Sequence, residues 1–293
     1  MALSQRLLIN SMPKSGTHLL TQVVDLLGFQ DQGAHASFWG RTKDRLGLGA
    51  PVVLAHLRVK RNKQRLLRSL VTRQSAPLTV PVDVTMPVDV PVGLLQAWLA
   101  GIRPGAYLSG HVPWHVKTAD IVRANALKQI VIVRDPRDVL VSFVHFVRRP
   151  QHVLSKDFTP LTPDEQLLLA LQGGQGSAGT HIVGMMQGFA AILNWTQETD
   201  VLFVRFEDLI GTQGAGSEQA QRVTVQKIAE YLGLALTDQA TDTVCQRAFD
   251  TKSATFRRGQ IGSWQDELTP QQIQSVQDGF TPLRQTHPWV FAD

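Results

Sequence analysis

One cysteine, Cys245, stands in the 293 residues. An intrachain disulfide is therefore excluded, and a reducing compartment is expected. The histidines are scattered and there is no cysteine pair, so no metal site is predicted. Long apolar runs are missing as well. No eighteen-residue apolar stretch occurs, and no charged start leads into a long apolar segment. The expectation is a soluble cytoplasmic chain with no integral membrane segment. No linker divides the sequence, which reads as one domain over residues 1–293. Nothing in the sequence sets the oligomeric state.

What is present is ordinary in bulk, with 43% hydrophobic and 18% charged residues. A formal net charge of +5 suits an anionic ligand or partner. Residues 52–70 carry Arg58, Lys60, Arg61, Lys63, Arg65 and Arg68 among leucines. They read as a basic helix with a solvated face. Aromatics do not interleave with these charges, so no nucleic-acid partner is predicted. Pro-Val-Asp-Val occurs twice, at residues 81–84 and 87–90. The duplication is too short for a repeat architecture, and its prolines predict extended, irregular chain instead of a central strand.

Apolar periodicity places strands at residues 7–9, 106–109, 129–133 and 200–205. Helices are expected from Thr17, over 94–99 and 118–127, after Pro136, over 166–171 and 185–196, and over 223–232 and 240–249. Residues 30–45 read as a loop. Strands alternating with helices predict an α/β fold with a central parallel sheet flanked by helices.

Ligands of such sheets sit beyond the carboxyl ends of the strands, and the chemically distinctive residues fall there. The first strand runs into Pro13-Lys-Ser-Gly-Thr17, a tight basic turn that opens a helix. Backbone N–H groups, the helix N-terminus and the Lys14 ammonium can together cradle a phosphate. Gly16 allows close approach, and Ser15 and Thr17 add hydroxyls. The triphosphate-binding loop G-x-x-x-x-G-K-[ST] is not matched, because Lys14 precedes the only glycine. His111 follows the second strand, Arg134 ends the third, and Arg205-Phe-Glu-Asp208 ends the fourth.

Four segments resemble, in order, the signatures of sulfotransferases that use 3′-phosphoadenosine 5′-phosphosulfate (PAPS). Pro13-Lys-Ser-Gly-Thr17 is similar to their P-loop-like phosphosulfate-binding loop. Arg134-Asp-Pro-Arg-Asp-Val-Leu-Val-Ser142 resembles the 3′-phosphate motif, and residues 201–209 the strand that follows. Arg257-Arg-Gly-Gln-Ile-Gly-Ser-Trp264 resembles the C-terminal R-K-G-x-x-G-x-W signature. The resemblance implies a transferase that binds PAPS and its product adenosine 3′,5′-bisphosphate (PAP), without a metal. It assigns Lys14, Ser15, Gly16 and Thr17 to the 5′ side of the nucleotide, with His18 beside them. It assigns Arg134, Ser142, Arg257, Arg258 and Gly259 to the 3′-phosphate, and Phe206 to the base. It makes His111, in His111-Val-Pro113, the general base, with Lys14 stabilising the departing phosphate.

His115 is the rival base, and an ion pair with Asp135 or Asp138 is the structural alternative for Arg134. Leu19, Ser109, Phe206 and Gln265 depart from the pattern of many cytosolic members, so adenine contacts and acceptor class do not carry over. Residues 30–100 and 146–182 read as acceptor-site insertions or lids, with Phe38, Trp39, Trp98 and Trp114 as candidate apolar walls. The acceptor is expected to be a small molecule with a hydroxyl or nitrogen. Two other readings remain at this point, a nucleotide kinase of the same architecture and a non-catalytic PAP-binding protein.

Overall fold

Nine strands are found among the residues described by a computed structural model, which are 3–32, 78–249 and 257–292. They are β1 (Leu7–Ser11), β2 (Gln30–Asp31), β3 (Thr79–Val82), β4 (Val88–Pro91), β5 (Ala106–Gly110), β6 (Lys128–Val133), β7 (Gly173–Gln175), β8 (His181–Val183) and β9 (Val201–Arg205). Five make the central sheet, in the order β2-β5-β1-β6-β9, with every neighbouring pair parallel.

Burial on both faces explains why residues 7–9 of β1 and 130–133 of β6 are apolar without alternation. Their side chains nevertheless divide by the period of two. Leu7, Ile9, Ile130 and Ile132 enter one core, packed by the helices Thr17–Leu26, Glu218–Tyr231 and Asp238–Ala248. Leu8, Val131 and Val133 enter the other, packed chiefly by the helices Pro136–Val147, Pro163–Gln172, Met185–Leu193 and Pro270–Thr286. Each fully buried Leu, Ile or Val contributes roughly 1.5–3 kcal/mol, so these two layers fix where the strand ends lie.

The register brings those ends level. Asn10 pairs with Gly110, Ser11 with Ile132, and Val133 with Arg205. The turns that follow β1, β5, β6 and β9 therefore share one edge of the sheet. Among the described residues, no helix is long and apolar enough to cross a membrane.

The structure corrects several expectations. The Pro-Val-Asp-Val segment is not irregular: β3 and β4 form an antiparallel hairpin in which Thr79 faces Pro91 and Pro81 faces Asp89. A two-stranded ribbon consists of edges, where proline is tolerated. Asp83 makes the turn in a left-handed conformation (φ 74°), its Oδ1 accepting from the Thr85 N–H, the Thr85 hydroxyl and the Met86 N–H. Gln30–Asp31 is a short edge strand on β5 instead of the start of a loop. β7 and β8 form a second hairpin near the end of the expected 146–182 insertion. The helix Pro270–Thr286 was not signalled by its polar, glutamine-rich sequence and carries Pro282 inside it. The basic segment 52–70, with Phe38 and Trp39, lies outside the described residues.

Candidate active site

The turn after β1 contains two left-handed residues, Lys14 (φ 71°) and Gly16 (φ 96°). A lysine in that conformation is strained, and such strain collects at functional sites. Gly16 is needed on two counts. A Cβ there would add backbone strain and come within 2.6 Å of Phe206 Cδ2. The Ser15 N–H donates to Met12 O at 3.2 Å, closing the turn just before the helix Thr17–Leu26. The Ser15 side chain is fully buried, and its hydroxyl has no hydrogen-bond partner among the described residues.

Arg134 leaves β6 and is nearly buried. Its Nη2 donates to Gln260 O at 2.6 Å and lies 3.2 Å from Asp138 Oδ2, so the ion pair with Asp138 forms. Asp135 pairs instead with Arg137 at 2.6 Å. The Arg134 guanidinium carbon stands 4.3 Å from the centroid of the Phe206 ring, a stacked cation–π arrangement. Phe206 is thus buried between Gly16 and Arg134 and spaces one turn from the other. Arg134 Nε is buried and has no hydrogen-bond partner among the described residues.

Asp138, fully buried, ties the C-terminal loop to this clamp by accepting from Gly262 N–H, the Ser263 hydroxyl and Trp264 N–H at 2.9–3.1 Å. Arg257 sits in that loop with Nη1 2.7 Å from both carboxylate oxygens of Glu267, while its buried Nε lacks a partner among the described residues. Glu267 also meets Arg258 at 3.3 Å and His145 Nε2 at 2.8 Å. Gly259 has a positive φ of 63°. Ser142 is buried two turns beyond Arg134 on the helix Pro136–Val147.

Lys14 shows that these pieces converge. Burial, then the charges of Arg149, Arg257 and Arg134, pull its ammonium down to about 8. Its Nζ lies 4.6 Å from the Phe146 centroid, on a ring that Arg149 also approaches. Four cations from three separate segments therefore share one region. His18 is at its rim, and burial, Lys14 and His111 lower its imidazole below the usual value.

His111 is half-buried beyond β5, on the same edge. Its Nδ1 is 2.9 Å from Ser11 O and 3.2 Å from Ser11 Oγ. A carbonyl can only accept, so Nδ1 carries the proton and Nε2 keeps the lone pair. Burial lowers the imidazole from its usual value, opposed by the Ser11 carbonyl and the Asp83 charge. The Ser11 hydroxyl reaches Thr17 Oγ1 at 2.7 Å. A chain of polar contacts thereby joins His111 to the turn after β1.

His115 is placed differently. It caps the helix Val116–Ala124, its Nδ1 accepting from the Lys117 N–H at 3.1 Å. Trp114 donates to Glu198 Oε1, and both Trp114 and Trp98 pack against the core. Sequence reasoning did not single out Asn10, Ser11, Arg149 or Glu267. Their only signal was position, a polar pair interrupting β1 and a charge on either side of a motif. Two surface clefts of about 360 and 420 Å³ lie elsewhere, the first lined by Phe203, Arg205, Lys227 and Trp289, and neither includes any of the residues gathered around Lys14.

Comparison with known proteins bears on this arrangement. A family model of the sulfotransferase domain matches residues 4–287. Sulfotransferase 6B1 of Pan troglodytes is 30% identical over 172 residues, 53% of this chain and 50% of its own length. The 3-alpha-hydroxysteroid sulfotransferase of Cavia porcellus is 28% identical over 194 residues, 59% of this chain and 60% of its own length. The chain thus spans one half to three fifths of these relatives. Mouse sulfotransferase SULT7A1 complexed with PAP superposes with a TM-score of 0.58 at 17% identity, over 97% of this chain and 86% of that one. Retinol dehydratase in complex with androsterone and PAP gives 0.54 at 14% identity, over 97% and 82%. At these identities the structural likeness establishes the fold.

Proposed function

The chain belongs to the sulfotransferase domain family, and from that premise we propose that it transfers a sulfuryl group from PAPS to a hydroxyl or nitrogen of a small-molecule acceptor by in-line displacement. One observation carries the reading. Ser15 Oγ, Arg134 Nε and Arg257 Nε are buried donors without hydrogen-bond partners among the described residues, and they belong to the Lys14 turn and to two arginines whose charges act on Lys14. Buried donors are expensive to leave unmet. Donors on three separate segments, one in the turn after β1 and two on arginines beyond it, fit a ligand with phosphates at both its 5′ and 3′ ends.

PAPS supplies the sulfuryl group when bound and departs as PAP. Lys14, Ser15, Gly16 and Thr17 hold the 5′ end, with His18 at its rim. Arg134, Ser142, Arg257, Arg258 and Gly259 hold the 3′-phosphate, and Phe206 keeps the two clamps apart while offering a ring toward the base. Lys14 also answers the negative charge that collects on the departing phosphate. His111 takes the acceptor's proton at Nε2, since Nδ1 is already committed to Ser11. The described parts of the expected insertions, residues 78–100 and 146–182, supply acceptor walls; residues 33–77 lie outside the described residues.

Calorimetric titration with PAP tests the reading first, with saturable 1:1 binding expected. Transfer of ³⁵S from labelled PAPS to a panel holding a phenol, an aliphatic alcohol and a primary amine then identifies the acceptor class. Failure to bind PAP would overturn the proposal, and binding without transfer to any acceptor pool would leave a binding protein.

A further inference from the structure

Beyond Gly110 the parallel ladder between β1 and β5 stops, and the chain that carries His111 needs another hold. Asn10 provides it. Its side chain is fully buried at the carboxyl end of β1. Nδ2 donates to Val112 O at 2.8 Å, and Oδ1 accepts from the Val112 N–H at 2.8 Å and from the Ser11 N–H at 3.0 Å. The carboxamide thus imitates a peptide group and extends the ladder two residues past the register pair Asn10–Gly110. Trp195 Nε1 donates to the same Val112 carbonyl at 2.9 Å. His111 lies between two fixed residues, Gly110 in the ladder and Val112 on the amide, and its ring is thereby turned onto Ser11.

Neither the apolar strand nor the helices ask for an amide here. A buried Asn in a central strand is costly unless every polar atom is used, and here both are.

We propose that Asn10 is a positioning residue for the base: its side-chain amide fixes the backbone of Val112 and so holds the His111 ring with Nδ1 on Ser11 and Nε2 free. This rests on the sulfotransferase reading for its chemical purpose, but the geometry it describes does not need that reading. An aliphatic side chain would leave the Val112 N–H and the Ser11 N–H without their acceptor and release the segment. Asparagine serves where aspartate would not, because Val112 presents both a donor and an acceptor.

The test is made on the whole protein without an acceptor. Long-range ¹H–¹⁵N spectra of the histidine rings, with His111 assigned by its loss in His111→Asn, report tautomer and titration. The wild type is expected to show the Nδ1–H tautomer and a titration below the ordinary imidazole value. In Asn10→Ala the ring should exchange between tautomers, and its titration should move up by about 0.5 pH or more as solvent reaches it. PAP affinity by calorimetry should change by less than about threefold, because the Asn10 amide bonds to Val112 and Ser11 and to none of residues 13–17. Asn10→Leu keeps the size, adds no charge and removes all three contacts, so it should show the same change and serves if the alanine variant does not fold. His111 keeping its wild-type tautomer and titration in these variants would overturn the proposal. So would a drop in PAP affinity of tenfold or more beside an unmoved His111, which would place Asn10 in the phosphate turn. If the wild type fails to bind PAP, the sulfotransferase reading fails by itself while the histidine spectra still decide the role of Asn10.

Discussion

The two halves of the strand-end edge are built on opposite plans. On the Lys14 and Arg134 side, donors are buried and left unmet: Ser15 Oγ, Arg134 Nε and Arg257 Nε have no hydrogen-bond partner among the described residues, and Lys14 is crowded by Arg149, Arg257 and Arg134. On the His111 side nearly every polar atom is used. Asn10 spends its amide on Val112, Trp195 adds a third bond to that residue, and His111 commits Nδ1 to Ser11. An anion site can tolerate unmet donors because its ligand repays them on arrival. A general base has no such late partner, so it must be held in one tautomer beforehand. Under the proposed function the first plan stores affinity and the second stores orientation.

That contrast breaks most sharply at His111. His111→Ala is expected to lower turnover by about 10²–10⁴-fold, with PAP affinity nearly unchanged. Stopped-assay kinetics with the acceptor found in the panel, paired with PAP calorimetry, check both halves. Near-normal turnover would remove His111 from the chemistry. Arg134→Ala should do the reverse, weakening PAP by about 1.5–3 kcal/mol through loss of charged hydrogen bonds. Asp138 would keep its three other donors, so the C-terminal loop should stay in place. Unchanged affinity would show that Arg134 serves only its ion pair.

How far the sequence revealed the two plans differs. Lys14, Arg134 and Arg257 sit in local strings whose chemistry is visible in a few consecutive letters, and the apolar runs 7–9 and 130–133 precede the first two. The base side depends on contacts about a hundred residues apart, Asn10 with Val112 and Ser11 with His111, which no local string carries. His115 illustrates the cost. It lies four residues beyond His111 in sequence, and the structure separates them by its capping bond from the Lys117 N–H and by the contacts of His111 with Ser11. The helix Pro270–Thr286 escaped for a related reason. It buries few side chains, among them Val276, Phe280 and Leu283, and Pro282 reads as a stop. Its Thr269 cap and reciprocal Gln272 bond were the available start signal.

A smaller effect is expected at Gly16, which packs against Phe206 on the Arg134 side. Gly16→Ala requires a left-handed alanine and pushes a methyl to within 2.6 Å of Phe206. Strain and overpacking together should cost about 1–3 kcal/mol of stability, read as a lower melting temperature. PAP should then recover less of that stability than in the wild type, because Phe206 carries any shift on to Arg134. An unchanged melting temperature would mean that the ring moves aside freely.

The gentlest probe is pH, and it should separate the two sides without a mutation. His111 is held below the ordinary imidazole value by burial. Its neutral, proton-accepting form therefore persists to lower pH than for a free histidine, and the acid limb of turnover should fall below pH 6.5. Lys14 is lowered to about 8 by burial and neighbouring cations. In the free protein its charge is complete well below pH 8 and is lost as pH rises through that value, so PAP affinity should decline on the alkaline side. Bound phosphates favour the charged lysine and should push the alkaline limb of turnover higher than that of free-protein binding. The acid limb then belongs to the base and the alkaline limb to the clamp. Lys14→Met is the control, expected to weaken PAP at neutral pH and to flatten the alkaline decline while leaving the acid limb of turnover where it was. An alkaline decline that survives Lys14→Met with its midpoint unmoved would assign it to another group and detach Lys14 from the 5′-phosphate.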